Sequence, residues 1–179
     1  MCKPQTAWDY CVEFHGHSCP GLAIGYRIAL AAADQLGITS SKDEELVCIT
    51  ENDACGVDAV QVLTGCTMGK GNLLYRDTGK HAFSFFNRRD NSRIRISFNK
   101  QIKKDQDWDK EQFQNYILNA PEEEILTFSE PSFEPPQRAR IFNSIVCEQC
   151  GESASEHKMR LNDGKIICLD CSADYSRGW

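Results

Sequence analysis

Residues 20–37 have the sequence PGLAIGYRIALAAADQLG, and residues 45–51, the next apolar segment, have the sequence ELVCITE. The first segment predicts a long, largely buried helix, because proline is favoured at a first helical position and Gly37 is a natural helix end. The second segment predicts a buried strand, because it is a short apolar run that contains β-branched residues. A helix followed by a strand therefore begins the core of the fold.

The elements that follow extend this core. Residues 55–63 predict a second helix, which Asn52 or Asp53 can cap. Residues 81–87 and 93–98 predict two strands. In the second strand polar and apolar side chains alternate, which is the period of a sheet with one solvent-exposed face. We expect these strands to form an antiparallel pair, which gives the chain an α+β fold.

A proline-rich segment separates this core from the C-terminal part of the chain. Residues 107–119 and the acidic stretch PEEEIL predict helices, and the segment SEPSFEPPQ that follows contains three prolines and no helical or strand pattern. The sequence therefore predicts an α+β core domain over residues 1–128, a linker over residues 129–144 and a separate four-cysteine domain over residues 145–179.

Composition and charge exclude several classes of protein. Hydrophobic residues make up 41% of the chain and charged residues 26%, as in soluble globular proteins. The N-terminus MCKPQTAWDY lacks the regions of a signal peptide, and no segment has the roughly 20 apolar residues of a membrane helix, so we expect a cytoplasmic protein. The net charge of −6 argues against nucleic acid as the main partner.

The stretch from Arg88 to Lys104 is locally basic. It contains seven Lys and Arg residues against the single acid Asp90. Two interpretations remain open: a local anion site, or a solvated strand edge whose positive charge prevents edge-to-edge pairing. The seven residues are Arg88, Arg89, Arg93, Arg95, Lys100, Lys103 and Lys104.

Four of the ten cysteines form two pairs near the C-terminus. Cys147 and Cys150 are separated by two residues, as are Cys168 and Cys171, and seventeen residues lie between the pairs. This spacing is typical of zinc ribbons and treble clefs, in which four thiolates bind one structural zinc ion. Gly151 permits the tight turn of such a site. A disulfide or a redox-active CxxC pair is the alternative interpretation.

The zinc segment is poor in large apolar residues, so we expect zinc binding to supply its folding free energy. From Cys147 to Trp179 it contains four Lys and Arg against six Asp and Glu, the wrong sign for contacts with phosphates. We therefore expect this module to contact another protein or to stabilise a dimer.

A second group of residues of types that commonly bind metal ions lies in the segment FHGHSCPG. His15, His17 and Cys19 occupy alternate positions, and alternation in an extended segment points side chains the same way. Cys19 and Cys55 each lie at a predicted helix start, where the helix dipole favours a thiolate, and Asp58 follows Cys55 by about one turn.

Convergence of these two helix starts would create a metal site. His17, Cys19 and Cys55 would then bind a transition metal, with zinc expected, and leave one coordination position open, as catalytic sites do. In that arrangement Cys19, Cys55 and Asp58 are the candidate catalytic residues. The alternative is that both cysteines are small buried hydrophobes and that the backbone satisfies the histidines.

The loop GCTMGKGN, residues 65–72, contains three glycines and Lys70. Exposed backbone N–H groups and a lysine are features of phosphate-binding loops. The loop differs from a Walker A sequence, because its first glycine is one residue too close to GK and Gly71 stands where Ser or Thr is needed. Either an anion site or a turn that brings Thr67 and Lys70 to the rim of a cleft explains the loop, and both residues are candidate cofactor ligands.

The chain resembles the family of the E subunit of formylmethanofuran dehydrogenase, with a C-terminal zinc finger appended. Three motifs carry the resemblance: FHGHSCPGLAIGYR, ENDACGVDAVQVLTGCTMGKGN and DTGKHAFSFFNR. The resemblance implies helix-strand-helix followed by antiparallel strands in a mixed sheet, as in a domain of glyceraldehyde-phosphate dehydrogenases. It also implies a homodimer and a cleft at the His and Cys motif, where the neighbours of the metal would be His15, Asp53, Asp58 and Lys70.

Three functions are compatible with these features. The first is a metal-binding accessory subunit of a molybdenum or tungsten oxidoreductase, which binds a partner subunit or a cofactor without turnover by itself. The second is a stand-alone zinc metalloenzyme in which Asp53 or Asp58 transfers protons. The third is a scaffold or regulatory protein that docks through its zinc finger. The resemblance alone implies no reaction for this chain.

Overall fold

The structure is a computed structural model that describes residues 6–99 and 107–173. The chain divides into two compact units, Met1–Arg138 and Ala139–Trp179, which we call the core unit and the zinc unit. The division falls inside residues 129–144, for which the sequence predicts a linker. Three of the seven basic residues noted above, Lys100, Lys103 and Lys104, lie outside the described residues.

The core unit combines helices with one mixed sheet. Its helices are α1 (Ala7–His15), α2 (Pro20–Leu36), α3 (Gly56–Thr64), α4 (Lys110–Asn119) and α5 (Glu122–Ile125). Its strands are β1 (Leu46–Thr50), β2 (Leu73–Tyr75), β3 (Ala82–Asn87), β4 (Arg93–Phe98) and β5 (Leu126–Ser129). The sheet order is β2-β1-β3-β4-β5, with β1 and β2 parallel and the other neighbours antiparallel. This architecture confirms the predicted α+β fold.

Helix α2 forms the centre of the core unit, as the sequence predicts. Cys19 is its N-cap, Pro20 is its first residue and Gly37 is its C-cap. Its alanine-rich face is buried, so the helix can approach the sheet closely. The same apolar cluster includes sheet residues, among them Phe83, Phe85 and Ile96.

Two local predictions are wrong. The segment FHGHSCPG is not extended, because helix α1 includes His15 and ends where Gly16 adopts a left-handed conformation with φ of 89°. Helix α3 has Cys55 as its N-cap, with no side-chain cap bond. Asn52, a predicted cap, instead accepts the N–H of Ala54 through Oδ1 at 3.1 Å.

The second face of the sheet carries its own apolar cluster. Val47 and Ile49 alternate along β1 with Leu46 and Cys48, which belong to the apolar cluster around α2. Val47 and Ile49 pack with Phe86 on the opposite face. Phe133, from the segment after β5, covers this cluster, with its ring centroid 5.9 Å from that of Phe86. Residues just after β5 therefore belong to the packing of the core unit.

A buried ion pair lies beside this cluster. Arg95 Nε lies 2.6 Å from Glu51 Oε1, and the Thr78 hydroxyl donates to Glu51 Oε2 at 2.9 Å. The Glu51 side chain is 3% exposed. Burial raises the pKa of Glu51, but the hydrogen bonds from Arg95 and Thr78 outweigh it and leave the pKa below its ordinary value. Arg95 thus faces a buried partner, not water as the alternation predicts.

The zinc unit consists of two short hairpins. One pairs β6 (Ser144–Val146) with β7 (Ser153–Ser155), and the other pairs β8 (Met159–Asn162) with β9 (Lys165–Cys168). Cys147 and Ile167 are its buried apolar residues in the described part of the unit. Among all the described helices, none combines the length and the apolar character that a membrane span requires.

Candidate metal centres

The four cysteines of the zinc unit converge at one point. The sulfurs of Cys147, Cys150, Cys168 and Cys171 lie within 4.8 Å of one another. Cys147 follows β6 and Cys168 ends β9, so each hairpin brings one pair of cysteines to the cluster. Gly151 has φ of 78°, and its N–H donates to the Cys147 carbonyl at 2.9 Å, which closes the predicted tight turn.

The surroundings of Cys147 fit a metal-bound thiolate. Backbone N–H groups of Cys150 and Cys168 point to its sulfur, the latter at 3.3 Å, and they lower the pKa of this thiol to about 6. Such N–H bonds stabilise the charged form that coordinates a metal. Four cysteine thiolates are the donor set of a structural zinc site.

A second cluster lies in the core unit. One ligand atom each of His15, Cys19 and Cys55 lies within 4.8 Å of the other two. His15 is the last residue of α1, Cys19 caps α2 and Cys55 immediately precedes α3, so three helix ends meet here. The structure therefore brings together both cysteines that the sequence singles out.

Close contact between α2 and α3 explains why the two cysteines meet. A Cβ added at Gly25 would overlap the backbone of Gly56, so the helices touch at a point where only glycine fits. One turn earlier, a Cβ at Gly21 would lie 3.3 Å from Cys55 Cβ. The sequence signal for this crossing is the small-residue spacing of Gly21 and Gly25 inside α2, which sequence reasoning missed.

The imidazole of His15 has a different partner on each nitrogen. Its Nδ1 lies 2.7 Å from Asp58 Oδ2, and its Nε2 lies 4.0 Å from Cys19 Sγ. The Asp58 carboxylate also accepts the side-chain amide of Gln61 at 3.2 Å. With the carboxylate at Nδ1, Nε2 is the nitrogen that faces the sulfurs. Histidines that bind a metal through one ring nitrogen usually have a carboxylate or carbonyl on the other.

The histidine of the cluster is His15, whereas the sequence predicts His17. The left-handed turn at Gly16 ends α1 after His15, and the rings of His15 and His17 lie tilted against each other, with centroids 4.5 Å apart. His17 is exposed, while the His15 side chain is 12% exposed. The metal role of His17 therefore stays a prediction.

Burial affects the thiol of Cys55. Burial and a hydrogen bond shared with Cys19 raise the pKa of Cys55 above its ordinary value. Two adjacent thiolates repel each other, so a cation between them would stabilise both. Metal binding at this cluster would therefore release a proton from Cys55.

A cleft of about 390 Å³ opens beside the core cluster. His15, Cys55 and Asp58 form one side of it. Asp53 is an exposed carboxylate on its lining, and Met68 and Tyr75 contribute apolar surface that is 72% and 48% exposed. The cleft thus combines metal-ligand atoms with a carboxylate and an aromatic ring.

The loop GCTMGKGN reaches this cleft through Met68. The Lys70 ammonium group donates to the Ser41 carbonyl at 2.9 Å, and the Thr67 hydroxyl accepts the N–H of Lys70 at 3.4 Å. Neither Thr67 nor Lys70 lies among the described residues that line the cleft. Their predicted cofactor contacts stay predictions.

Comparison with known families gives two matches along the chain. Residues 14–131 match the family described as FmdE, Molybdenum formylmethanofuran dehydrogenase operon. Residues 140–177 match the family described as Prokaryotic dksA/traR C4-type zinc finger. The second match and the four-cysteine cluster confirm the predicted structural zinc module.

The chain is also similar to individual proteins. A probable S-adenosyl-L-methionine-binding protein from Archaeoglobus fulgidus is 34% identical over an aligned length of 194 residues, and the alignment covers 91% of this chain and 51% of the relative. The chain thus spans about half the length of that relative. The crystal structure of a protein from Syntrophus aciditrophicus that is similar to the E subunit of tungsten formylmethanofuran dehydrogenase has a TM-score of 0.63 at 23% identity. The match covers 94% of this chain and 92% of that one, and this likeness shows the fold.

Proposed function

The chain belongs to the FmdE family, and on this premise we propose that it is a metal-binding accessory protein of a molybdenum or tungsten oxidoreductase. One observation carries the proposal: a nitrogen of His15 and the sulfurs of Cys19 and Cys55 lie within 4.8 Å of one another. The link to an oxidoreductase is supported by the description of the family, and the metal by the donor atoms themselves.

The donor set fits a borderline or soft transition metal. Two thiolates and one imidazole form a set that zinc binds with a fourth position open. Asp58 on the far nitrogen of His15 supplies the carboxylate partner that such histidines usually have. When bound, the metal would supply Lewis-acid chemistry to a ligand in the cleft.

The residues of the core then have separate roles. His15, Cys19 and Cys55 hold the metal, and Asp58 fixes the orientation of the His15 ring. As an accessory protein, the chain binds a ligand or a partner at this cleft without turnover. A stand-alone metalloenzyme is the alternative, in which Cys19, Cys55 and Asp58 keep their predicted catalytic roles and Asp53 exchanges protons with the substrate.

The lining of the cleft favours a second candidate function, the binding of S-adenosyl-L-methionine. The relative from Archaeoglobus fulgidus has a name of that kind. The cleft volume of about 390 Å³ lies in the range of small-molecule sites, Tyr75 offers a ring for stacking and Asp53 can accept from hydroxyl groups. Equilibrium dialysis with S-adenosyl-L-methionine tests it: saturable binding that Tyr75→Ala abolishes supports this function, and the absence of saturable binding contradicts it. Binding that this substitution leaves unchanged contradicts the cleft as the site.

The proposal also includes a protein partner for the zinc unit and a homodimer of the chain. The net negative charge of residues 147–179 favours a protein partner for the zinc unit. The family resemblance supports a homodimer. Loss of a partner on removal of residues 139–179, with core metal retained, would support docking through the zinc unit.

The metal content of the full chain tests the central proposal. The protein is purified without a metal-affinity tag, and metals per chain are measured by mass spectrometry. We expect about two metal ions in the native chain, about one in the Cys19→Ser, Cys55→Ser variant and about one in Cys147→Ser. His15→Ala and His17→Ala form a matched pair, of which only the first should lose the core metal.

The outcomes distinguish the functions. One zinc ion per chain that survives in the Cys19→Ser, Cys55→Ser variant and disappears in Cys147→Ser would overturn the core metal site and favour the scaffold function. Two metals with copurification of a molybdenum or tungsten oxidoreductase from native cells would support the accessory role. Two metals with turnover by the isolated chain would favour the metalloenzyme.

A further inference from the structure

A second cavity, of about 400 Å³, lies at the turn between β3 and β4. Its lining comes from this turn and from the segment after β5, and it shares no residue with the cleft beside the core cluster. We call it the arginine pocket. Its polar lining includes Asn87, Arg88, Asn91, Ser92, Arg93 and Arg138.

The charge of the arginine pocket is positive in an acidic protein. Three arginines line it against the single carboxylate of Glu134, although the chain as a whole has a net charge of −6. Arg93 is neutralised, because it lies 3.2 Å from both Glu130 and Glu134. Arg88 lies 3.9 Å from the Glu44 carboxylate, so Arg138 is the lining arginine that has no ion pair among the described residues and can attract an anion.

Arg88 has unused hydrogen-bonding capacity. Its side chain is 16% exposed, its Nη2 donates to the Pro136 carbonyl at 2.8 Å, and Glu44 lies 3.9 Å away, too far for a hydrogen bond. Its Nε is buried and has no hydrogen-bond partner within the described ranges. A buried charged donor without an acceptor is costly, and a small shift of the Arg88 side chain would let an anionic oxygen in the pocket satisfy it.

Neutral donors and apolar surface complete the lining. Asn87 Oδ1 accepts the N–H of Arg89 at 3.1 Å, which leaves the NH₂ group of Asn87 as a donor. Asn91 adopts a left-handed conformation with φ of 63° at the tip of the turn. Phe86 and Pro135 add apolar surface for the uncharged part of a ligand.

We propose that the arginine pocket binds a small phosphate ester of about mononucleotide size. The planar forks of two guanidinium groups match phosphate oxygens, and amide donors add further contacts. The volume of about 400 Å³ lies within the range of small-ligand sites. This inference favours the anion-site interpretation of the basic stretch, and it is independent of the core metal.

Calorimetric titration of the full chain tests this inference. The probes are AMP and ribose 5-phosphate at low salt, with adenosine as the uncharged control. We expect saturable binding of at least one ester, none of adenosine, and weakening by about tenfold in Arg138→Gln, because one charge-assisted bond is lost. Arg89→Gln is the matched control: Arg89 lies on the same turn, its side chain is 73% exposed, and it is not in the lining.

Two further variants keep the test independent of folding. Arg88→Lys retains the charge but loses the fork, and Asn91→Gly retains the left-handed turn but loses the amide, so both should fold and bind more weakly. The inference is overturned if neither ester binds, if adenosine binds equally, or if Arg89→Gln weakens binding as much as Arg138→Gln. It is also overturned if the Cys19→Ser, Cys55→Ser variant loses ester binding, because phosphate would then be at the core metal.

Discussion

Asp58 Oδ2 lies 2.7 Å from His15 Nδ1, across the junction between α1 and α3. The contact joins residues 43 positions apart and fixes which nitrogen of His15 faces Cys19 and Cys55. The carboxylate favours the tautomer of His15 with its proton on Nδ1, and in that tautomer Nε2 keeps its lone pair for a metal. We therefore propose that Asp58 positions His15 in the core cluster.

Asp58→Asn should weaken the core metal without removing the site. Loss of the carboxylate partner of a metal-binding histidine typically costs about 10–100-fold in affinity, so we expect a loss of about tenfold or more. Competition with a chromophoric zinc chelator measures it. Asp53→Asn is the control, because Asp53 lines the same cleft and changes charge equally. Equal losses in the two variants would show a general charge effect and contradict the orienting role.

Gly25→Ala should destabilise the core unit and disturb the core cluster together. Helix propensity alone favours alanine by about 1 kcal/mol, but the added Cβ collides with the backbone of Gly56. We expect a net loss of about 2 kcal/mol in the free energy of unfolding, with lower core-metal occupancy. Urea unfolding and metal analysis measure the two effects.

Gly69→Ala is the control for Gly25→Ala, because a Cβ at Gly69 meets nothing within 4 Å. An unchanged stability in Gly25→Ala would mean that α2 and α3 can separate without cost. Retained core metal in a destabilised Gly25→Ala variant would mean that the helix crossing does not position the cysteines.

The parts of the fold that sequence predicts are those with local signals. Pro20 and Gly37 mark the two ends of helix α2 in the sequence. Strands β3 and β4 each have a strand-type pattern of residues along their whole length. Helix α1 has a local signal that was missed, the capping box of Thr6 and Asp9. Strand β2 has only three residues, Leu73–Tyr75, and its pairing depends on β1.

The candidate site could be predicted only in part, because tertiary contacts complete it. Cys19 and Cys55 can be picked out as candidate ligands because each lies at a helix start, and the sequence predicts both helix starts. The choice of His15 over His17 depends on where α1 ends, and the left-handed turn at Gly16 decides it. Gly25 of α2 contacts Gly56 of α3. No local sequence pattern shows that these two helices lie close together in space.

Arg95→Met should destabilise the core unit strongly. It leaves the 3% exposed Glu51 carboxylate without its cation, and breaking a buried pair costs about 3 kcal/mol or more. Arg93→Met is the control on the same strand, because its partners Glu130 and Glu134 are 76% and 83% exposed and such pairs contribute at most about 1 kcal/mol. Chemical unfolding measures both, and equal losses would contradict a special role for the Glu51 pair.

The Glu51 pair should also make stability depend on pH. The pKa of Glu51 is lowered in the folded state, so its contribution is complete above the ordinary glutamate pKa and is lost as pH falls through the folded-state value. The native chain should lose more stability between about pH 5 and pH 2 than a Glu51→Gln, Arg95→Met variant. Thermal unfolding against pH measures this difference. Parallel curves for the two proteins would contradict it.

Removal of the structural zinc should unfold the zinc unit and leave the core unit folded. Cys147 and Ile167 are the buried apolar residues in the described part of this unit, too little surface to fold the two hairpins without metal. In Cys147→Ser we therefore expect proteolysis within residues 139–179, with the helical circular dichroism of the core unit unchanged. The Cys19→Ser, Cys55→Ser variant is the control and should keep the zinc unit resistant to protease. Resistance that persists in Cys147→Ser would show that the hairpins fold by packing alone, and the metal would then have some other role than supplying their folding free energy.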